Sequence, residues 1–354
     1  MATSNAATTY LERRVLDYIF KNDSLSFASP GNSIYVGLAT AVSAAEKGNL
    51  TEVQIDTDDA NYTREQVTAA NWKQSATTLG LNAAQGDTEI HLVDAEAFPT
   101  SGTIQIDDEL ISYTGKGSTA TADVNGALSS STALVVDGNS GTIAVGMVVT
   151  GTGISGTVYV TTVTNQNNLV LDTAITVSDD VALNFDGTNT LTGCGRGDSS
   201  TTDYAHTAGD TVISDAQRVI NDNNIEFPAA AGTAASYTVT HAFVADADIA
   251  TANVNGATSS STSVTLDGNV GTIAVGDIVT GTGITGATSG VVRVSAVASQ
   301  TSITLDTAVT LSDDTVLTFD GSNILFVGAL DASKSVAAGD IFRINAGNLS
   351  IELK

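Results

Sequence analysis

Cys194 and His206 have the widest chemical reach in this chain. The cysteine sits in a Gly193-Cys194-Gly195-Arg196 turn, with the histidine twelve residues on. A thiol enzyme needs a base beside the sulfur and a third group to orient that base. No second cysteine is present, and His91, His206 and His241 are widely spaced, so the expected reading is a small buried or half-buried thiol beside an unrelated loop histidine. Three carboxylate runs invite glycoside hydrolysis: Asp107-Asp108-Glu109, Asp179-Asp180 and Asp313-Asp314. Neighbours on a strand point to opposite faces, so such runs rarely converge on one bond, and Trp72 is the single Trp available as a sugar platform. They read as solvated turns. Asp56-x-Asp58-Asp59 and Asp137-Gly138-Asn139 are oxygen-rich enough for Ca2+, but neither follows a twelve-residue loop closed by Glu; Asp and Asn are also the ordinary residues of turns. Arg196-Gly197-Asp198 matches an adhesion tripeptide that arises readily by chance. The Gly-Thr-Gly pairs lack the Lys-Ser/Thr of a phosphate loop. No catalytic, cofactor or metal residue is therefore expected, with Ca2+ as the one alternative.

The elements that would position such residues are strands. The chain has 354 residues, of which 42% are hydrophobic and 15% charged, with 33 Gly and 3 Pro. Abundant Val, Ile and Thr between Gly-rich turns predict a mainly β protein. With 39 acidic against 13 basic residues, the net charge of −26 argues against nucleic acid and anionic membranes as partners. No apolar run has the length of a membrane span, and Met1 to Asn5 lacks the core of a secretion signal.

An internal repeat dominates the organisation. Val124 to Gly156 aligns without gaps onto Val254 to Gly286, with 24 of 33 positions identical. The match resumes at Leu171-Asp172-Thr173-Ala174 and Leu305-Asp306-Thr307-Ala308, and each copy closes on Phe-Asp-Gly (Phe185 and Phe319). Two copies are too few for a solenoid and predict separate small immunoglobulin-like or β-sandwich modules, 121–189 and 248–321. The first would be nested in another β-domain, 76–120 with 190–217. There Gly102 to Ile106 and Glu109 to Tyr113 form a hairpin turning at Asp107-Asp108. The remainder, 1–75, 218–247 and 322–354, predicts a discontinuous β-sandwich base. Its one helix starts at a Thr9-x-x-Glu12 capping box, presents Leu11, Val15, Tyr18 and Ile19 on one face, and ends near Asn22-Asp23. Base strands are expected at Ile34 to Leu38, Tyr62 to Val67, Ile225 to Phe227, Tyr237 to Val244, Ile324 to Leu330 and Phe342 to Leu353. His241, mid-strand, reads as a core or interface residue.

In order, the base segments resemble a family of small tailed-bacteriophage structural proteins of the tail-fibre or virion type. The residues that carry this are Tyr10-Leu11-Glu12, Ile34 to Thr40, Tyr62-Thr63-Arg64, Ile225 to Ala229, Val239-Thr240-His241, Asn323 to Leu330, Ser333 to Val336, Ala338-Gly339-Asp340 and Leu349-Ser350-Ile351. The chain departs from the family pattern at Ala235-Ser236-Tyr237, where a Trp-Gly pair is usual, and between Asp246 and Asn323, where a module replaces a short loop. The inserted modules are more loosely similar to those of phage structural proteins, including marine cyanobacterial phages. The resemblance implies a non-enzymatic virion protein, assembled in the host cytoplasm, with other virion proteins as partners and a homotrimer as the expected assembly. A tail-fibre or tail-tip position leads; head decoration and adhesion to a host-surface glycan or receptor are the alternatives. Docking is expected through Leu11, Val15, Ile19, Phe342 and Ile344. The first module, with five Asp and no Lys, Arg, Glu or His between Val124 and Asn189, suits a solvated, self-repelling projection.

Overall fold

The computed structural model describes residues 6–21, 34–231, 236–285 and 291–353. It is mainly β, with one α-helix and several sheets. The chain divides into two compact units: Met1–Trp72 with Asn223–Ala346, and Lys73–Asp222 with Gly347–Lys354. Among the described residues no helix is long and apolar enough to cross a membrane.

In the first unit an antiparallel sheet runs in the order Ala6–Ala7, Ile324–Ala337, Ser236–Ala245, Tyr35–Ala44, Asn49–Glu52. The short strand Glu65–Gln66 shares the outer edge of Tyr35–Ala44, pairing with Tyr35 and Val36, while Asn49–Glu52 pairs from Ala39 onward. The gap between them would orphan the Leu38 amide. Tyr62 fills it: its buried hydroxyl accepts the Leu38 N–H at 2.9 Å and donates to Glu52 Oε1 at 2.8 Å. This explains why Tyr62 to Val67, expected as a strand, is mostly loop; Tyr62 turns inward to complete its neighbour's ladder. Opposite Phe243, the sheet carries Gly37, where a Cβ would stand 2.2 Å from the ring's Cζ.

The helix Thr9–Lys21 forms as expected, but its cap lies one residue earlier. Thr8 Oγ1 is 3.4 Å from the Leu11 amide and donates to the Ile324 carbonyl at 2.6 Å, so the cap also fixes the helix start to the sheet. Thr9 instead donates to the Glu46 carbonyl. The expected end at Asn22-Asp23 lies outside the described residues.

Both repeats are six-stranded rings of closely matching order. In the second, Ala250–Val254, Thr258–Val270, Ser302–Leu311, Val292–Ser299, Ile278–Thr280 and Val316–Asp320 close a barrel around Val254, Leu266, Val294, Leu317 and Phe319. The first has the same strand neighbours, and its two edges meet through a Val148–Tyr159 bridge, with the Val149 amide donating to the Val158 carbonyl, the Gly146 amide to the Val160 carbonyl and the Val160 amide to the Met147 carbonyl. Closure of the second and the joined edges of the first remove open strand edges.

Both repeats are inserted at the tip of an antiparallel host pair. Ala245 pairs with Ile324 in the base sheet, and five residues further on Ala250 pairs with Phe319 in the module. In the second unit Lys116 pairs with Leu191, and Thr119 then pairs with Asp186. That unit also contains the expected hairpin, with Ile106 opposite Glu109 and Asp107 at φ 51° in the turn. Thr211–Ser214 and Ala76–Thr78 extend the hairpin sheet. The closing stretch Phe342 to Leu353, assigned to the base by sequence, is split at Gly347. Arg343–Ile344 pairs with Ile225–Glu226 in the first unit, whereas Ser350–Leu353 pairs with Gln217–Asn221 in the second.

Two substitutions test this packing. Gly37→Ala should destabilise the first unit by about 1–3 kcal/mol through overpacking against Phe243, read from urea midpoints. Asp277 is the second prediction. It is buried where the first module has Met147, and each accepts the same amide, Ala274 N–H at 2.7 Å and Ala144 N–H at 3.3 Å. Burial raises the Asp277 carboxyl above 3.8, so its ionised form is penalised in the fold at neutral pH. Asp277→Met should therefore raise the melting temperature at pH 7, with a gain that shrinks as pH falls towards 3.8.

Candidate functional site

The helix leaves the base sheet with apolar side chains uncovered. Leu11 is half-buried, Val15 is 39% exposed and Leu16 55% exposed. The Ile19 side chain lies outside the described residues. Phe342 and Ile344, the other docking candidates, are half-buried and already engaged. The Phe342 ring meets Phe227 edge-on at 5.9 Å, Phe227 stacks on Tyr62 at 6.2 Å, and Ile344 pairs with Ile225. Ile341 beside them is 54% exposed.

Two buried ionic centres escaped the sequence reading. In the first unit the Arg64 side chain is fully buried. Its Nε and Nη2 donate to Glu52 at 2.8 and 2.7 Å, and Nη2 also donates to Asp320 Oδ2 at 2.8 Å. Nη1 donates to the Ala247 carbonyl at 2.9 Å and to Ser322 Oγ at 2.7 Å, and the guanidinium lies 5.1 Å from the Phe243 ring centre. Desolvation works against its charge, but Glu52 and Asp320 outweigh that and hold it firmly protonated.

In the second unit the centre is Glu109, with a fully buried carboxylate. It accepts from Arg196 Nε and Nη2 at 2.8 and 2.9 Å, the Gly197 and Tyr204 amides, and His206 Nε2 at 2.8 Å. Burial pushes the carboxyl up, yet these donors prevail and hold it down at about 2. The one signal in the sequence was scarcity: with 13 basic residues in the whole chain, Arg64 and Arg196 stand out, although both lie outside strands.

The residues singled out for chemistry are engaged as follows in the structure. Cys194 is buried, its Sγ faces the Leu191 carbonyl at 3.5 Å, and burial pushes the thiol up to about 11, while His206 turns its Nε2 to Glu109. Arg196 is held by Glu109 with its side chain 4% exposed, so the Arg-Gly-Asp run presents no free guanidinium. Asp179 and Asp313 occupy the same place in the two modules, accepting the Gly126 and Gly256 amides, with Asp180 and Asp314 at positive φ in the turns. Asp58 accepts from Gln54, Asp59 accepts from Asn61, Ala231 and Tyr237, and Asp56 accepts from Thr282. His241 is half-buried in its strand, with Nδ1 2.8 Å from Thr240 Oγ1.

The Glu109 centre gives a pH prediction. A carboxyl held at about 2 when folded, against 4.5 ordinarily, contributes stability that is complete above 4.5 and lost as pH falls towards 2. Thermal unfolding followed from pH 5 to 2 should show that loss in the second unit. Glu109→Gln should flatten the dependence and cost about 3–5 kcal/mol at neutral pH by stranding Arg196.

Compared with known proteins, the chain is similar over residues 6–148 to a family model described as podophage GP4 fiber I protein gp80. No curated protein matches it, and no solved structure does. The match supports a phage virion structural protein with a tail-fibre-like role.

Proposed function

We propose that the chain is a tail-associated structural component of a tailed-phage virion, a fibre or tail-tip protein without catalytic activity. The observation that carries this reading is the similarity to the podophage fibre family. It runs from the first strand of the base sheet through the helix and the Glu109 hairpin into the first module. The base would dock on other virion proteins and associate as a homotrimer. The helix face that carries Leu11 and the exposed Val15, and the apolar strip around Phe342, Ile344 and the exposed Ile341, would supply the contacts. Two features support a structural rather than catalytic role: the carboxylates nearest to chemistry serve as turn and ion-pair acceptors, and the sole thiol is buried and protonated.

The first module's charge fits that placement. Asp is its only charged residue type between Val124 and Asn189, so it repels copies of itself and free DNA while remaining well solvated. Quantitative mass spectrometry of purified virions, referenced to the major capsid protein, tests the assignment. A few to a few dozen copies per particle is the expected result. Hundreds of copies would make the protein a head decoration instead, and absence from the particle would overturn a virion role.

A further inference from the structure

The hairpin turn and the loop that follows Tyr204 place three metal-type ligands together in the second unit: Asp107, His206 and Asp210. One ligand atom from each lies within 4.8 Å of the others. We propose that these three side chains form a binding site for a divalent transition-metal ion, with Zn2+ the fitting occupant.

The His206 backbone is clamped, since its amide donates to the Ala83 carbonyl at 2.8 Å and its carbonyl accepts the Ala83 amide at 3.0 Å. Its side chain is 2% exposed. Nε2 lies 2.8 Å from Glu109 Oε2, and every other partner of that carboxylate is a donor, so the hydrogen-bond network assigns a proton to Nε2. A carboxylate holding the far nitrogen of an imidazole is the arrangement that orients metal-binding histidines elsewhere.

Nδ1 then faces the opposite way, into the carboxylates. Among the described residues it makes no hydrogen bond; the Asp107 carboxylate stands 3.5 Å away in ion-pair range. A ring nitrogen turned towards carboxylates favours a cation between them, supplied either by a proton on the ring or by a metal ion. Asp210 is fixed for this role from its own turn, where Oδ2 accepts the Thr207 amide at 2.8 Å. Asp107 is on the hairpin tip with its side chain 73% exposed, free to swing inward.

The donor set selects the ion. One imidazole nitrogen and two carboxylates suit zinc and its neighbours, with bonds of about 2.0–2.2 Å and a fourth position for water, whereas calcium prefers oxygen ligands throughout. Ligands at such distances stand roughly 3.3 Å apart in a tetrahedron. Closing the present spread therefore takes a movement of about 1 Å, which the exposed Asp107 can supply. Bound metal would tie the hairpin turn to the loop carrying His206, beside the Glu109 centre, and so brace a part of the fold that has little regular structure.

Titration of Zn2+ into the tag-free, metal-stripped full chain by calorimetry tests this, with melting temperature as a second readout. One equivalent of zinc should bind and raise the melting temperature, and EDTA should reverse the rise. Asp107→Asn and Asp210→Asn should each weaken binding by about tenfold or more, while Asp108→Asn, at the exposed neighbouring position, binds as the parent does. Absence of a one-equivalent site, or zinc binding unchanged in both Asp107→Asn and Asp210→Asn, would overturn the proposal.

Discussion

The guanidinium of Arg64 draws together parts of the chain more than 250 residues apart in sequence. Glu52 comes from an edge strand of the base sheet, Ala247 from just before the second module, Asp320 from its end and Ser322 from just after it. Taking an arginine fully out of water costs several kcal/mol, and that cost is offset only when all of these partners are in place at once. The interaction is therefore a test of correct assembly as much as a source of stability. It also fixes Tyr62, because Glu52 Oε1 accepts from both Arg64 and the Tyr62 hydroxyl, and Tyr62 in turn completes the ladder at Leu38. Without the ion pair, the gap in the sheet edge and the neck of the module would lose their common fastening.

The second unit solves a similar problem with the charges exchanged. Here one buried carboxylate gathers Arg196, His206 and two backbone amides. In both units the centre lies where irregular chain meets a sheet. Strands satisfy their own polar groups through ladders, but loops that pass over a core do not, and a buried ion with several hydrogen bonds serves several loop groups together.

This is also why the sequence revealed some features and concealed others. The repeats, the hairpin at Asp107-Asp108, the helix after Thr8 and the long strands through Val239 and Val327 all follow from local periodicity and turn residues. Partner choice across hundreds of residues leaves no such trace. Glu109 looked like the third member of an acidic run, and nothing near it in sequence announces Arg196. The Tyr62 segment has strand composition, yet its inward-facing hydroxyl competes with extension, and only the neighbouring edge decides the outcome. The final strand pairs with Gln217–Asn221 because the turn at Gly347 redirects it, a choice set by tertiary contacts and not by propensity. The cap moved by one residue because Thr8, unlike Thr9, can reach the Ile324 carbonyl as well as the helix amides.

The two modules show how such a chain accepts insertions. In each, the first and last strands are neighbours, so the module's ends emerge side by side and match the spacing of the host pair they interrupt. The host hairpin is kept, and only its tip is replaced. At the first neck Gly117 and Gly187 approach so closely that a Cβ on Gly117 would stand 2.3 Å from the Gly187 carbonyl oxygen; at the second, Asp246 accepts both the backbone and side-chain amides of Asn323. Attachment beyond the neck differs. The first module rests on its host through His91 against Gly146 and Tyr159 against Gly80, contacts that would collide with any added Cβ. The equivalent of Gly146 in the second copy, Gly276, has open space around it, and that module is tied instead by Arg64 and by Asp56 to Thr282. The interior strand order is thus common to both copies, while the neck and outer loop residues are fitted to each host. Because loop-closure entropy rises only slowly with length, a module with adjacent ends leaves the host core almost undisturbed. The specificity of placement then falls to a handful of loop contacts, of which the Arg64 centre is the most demanding.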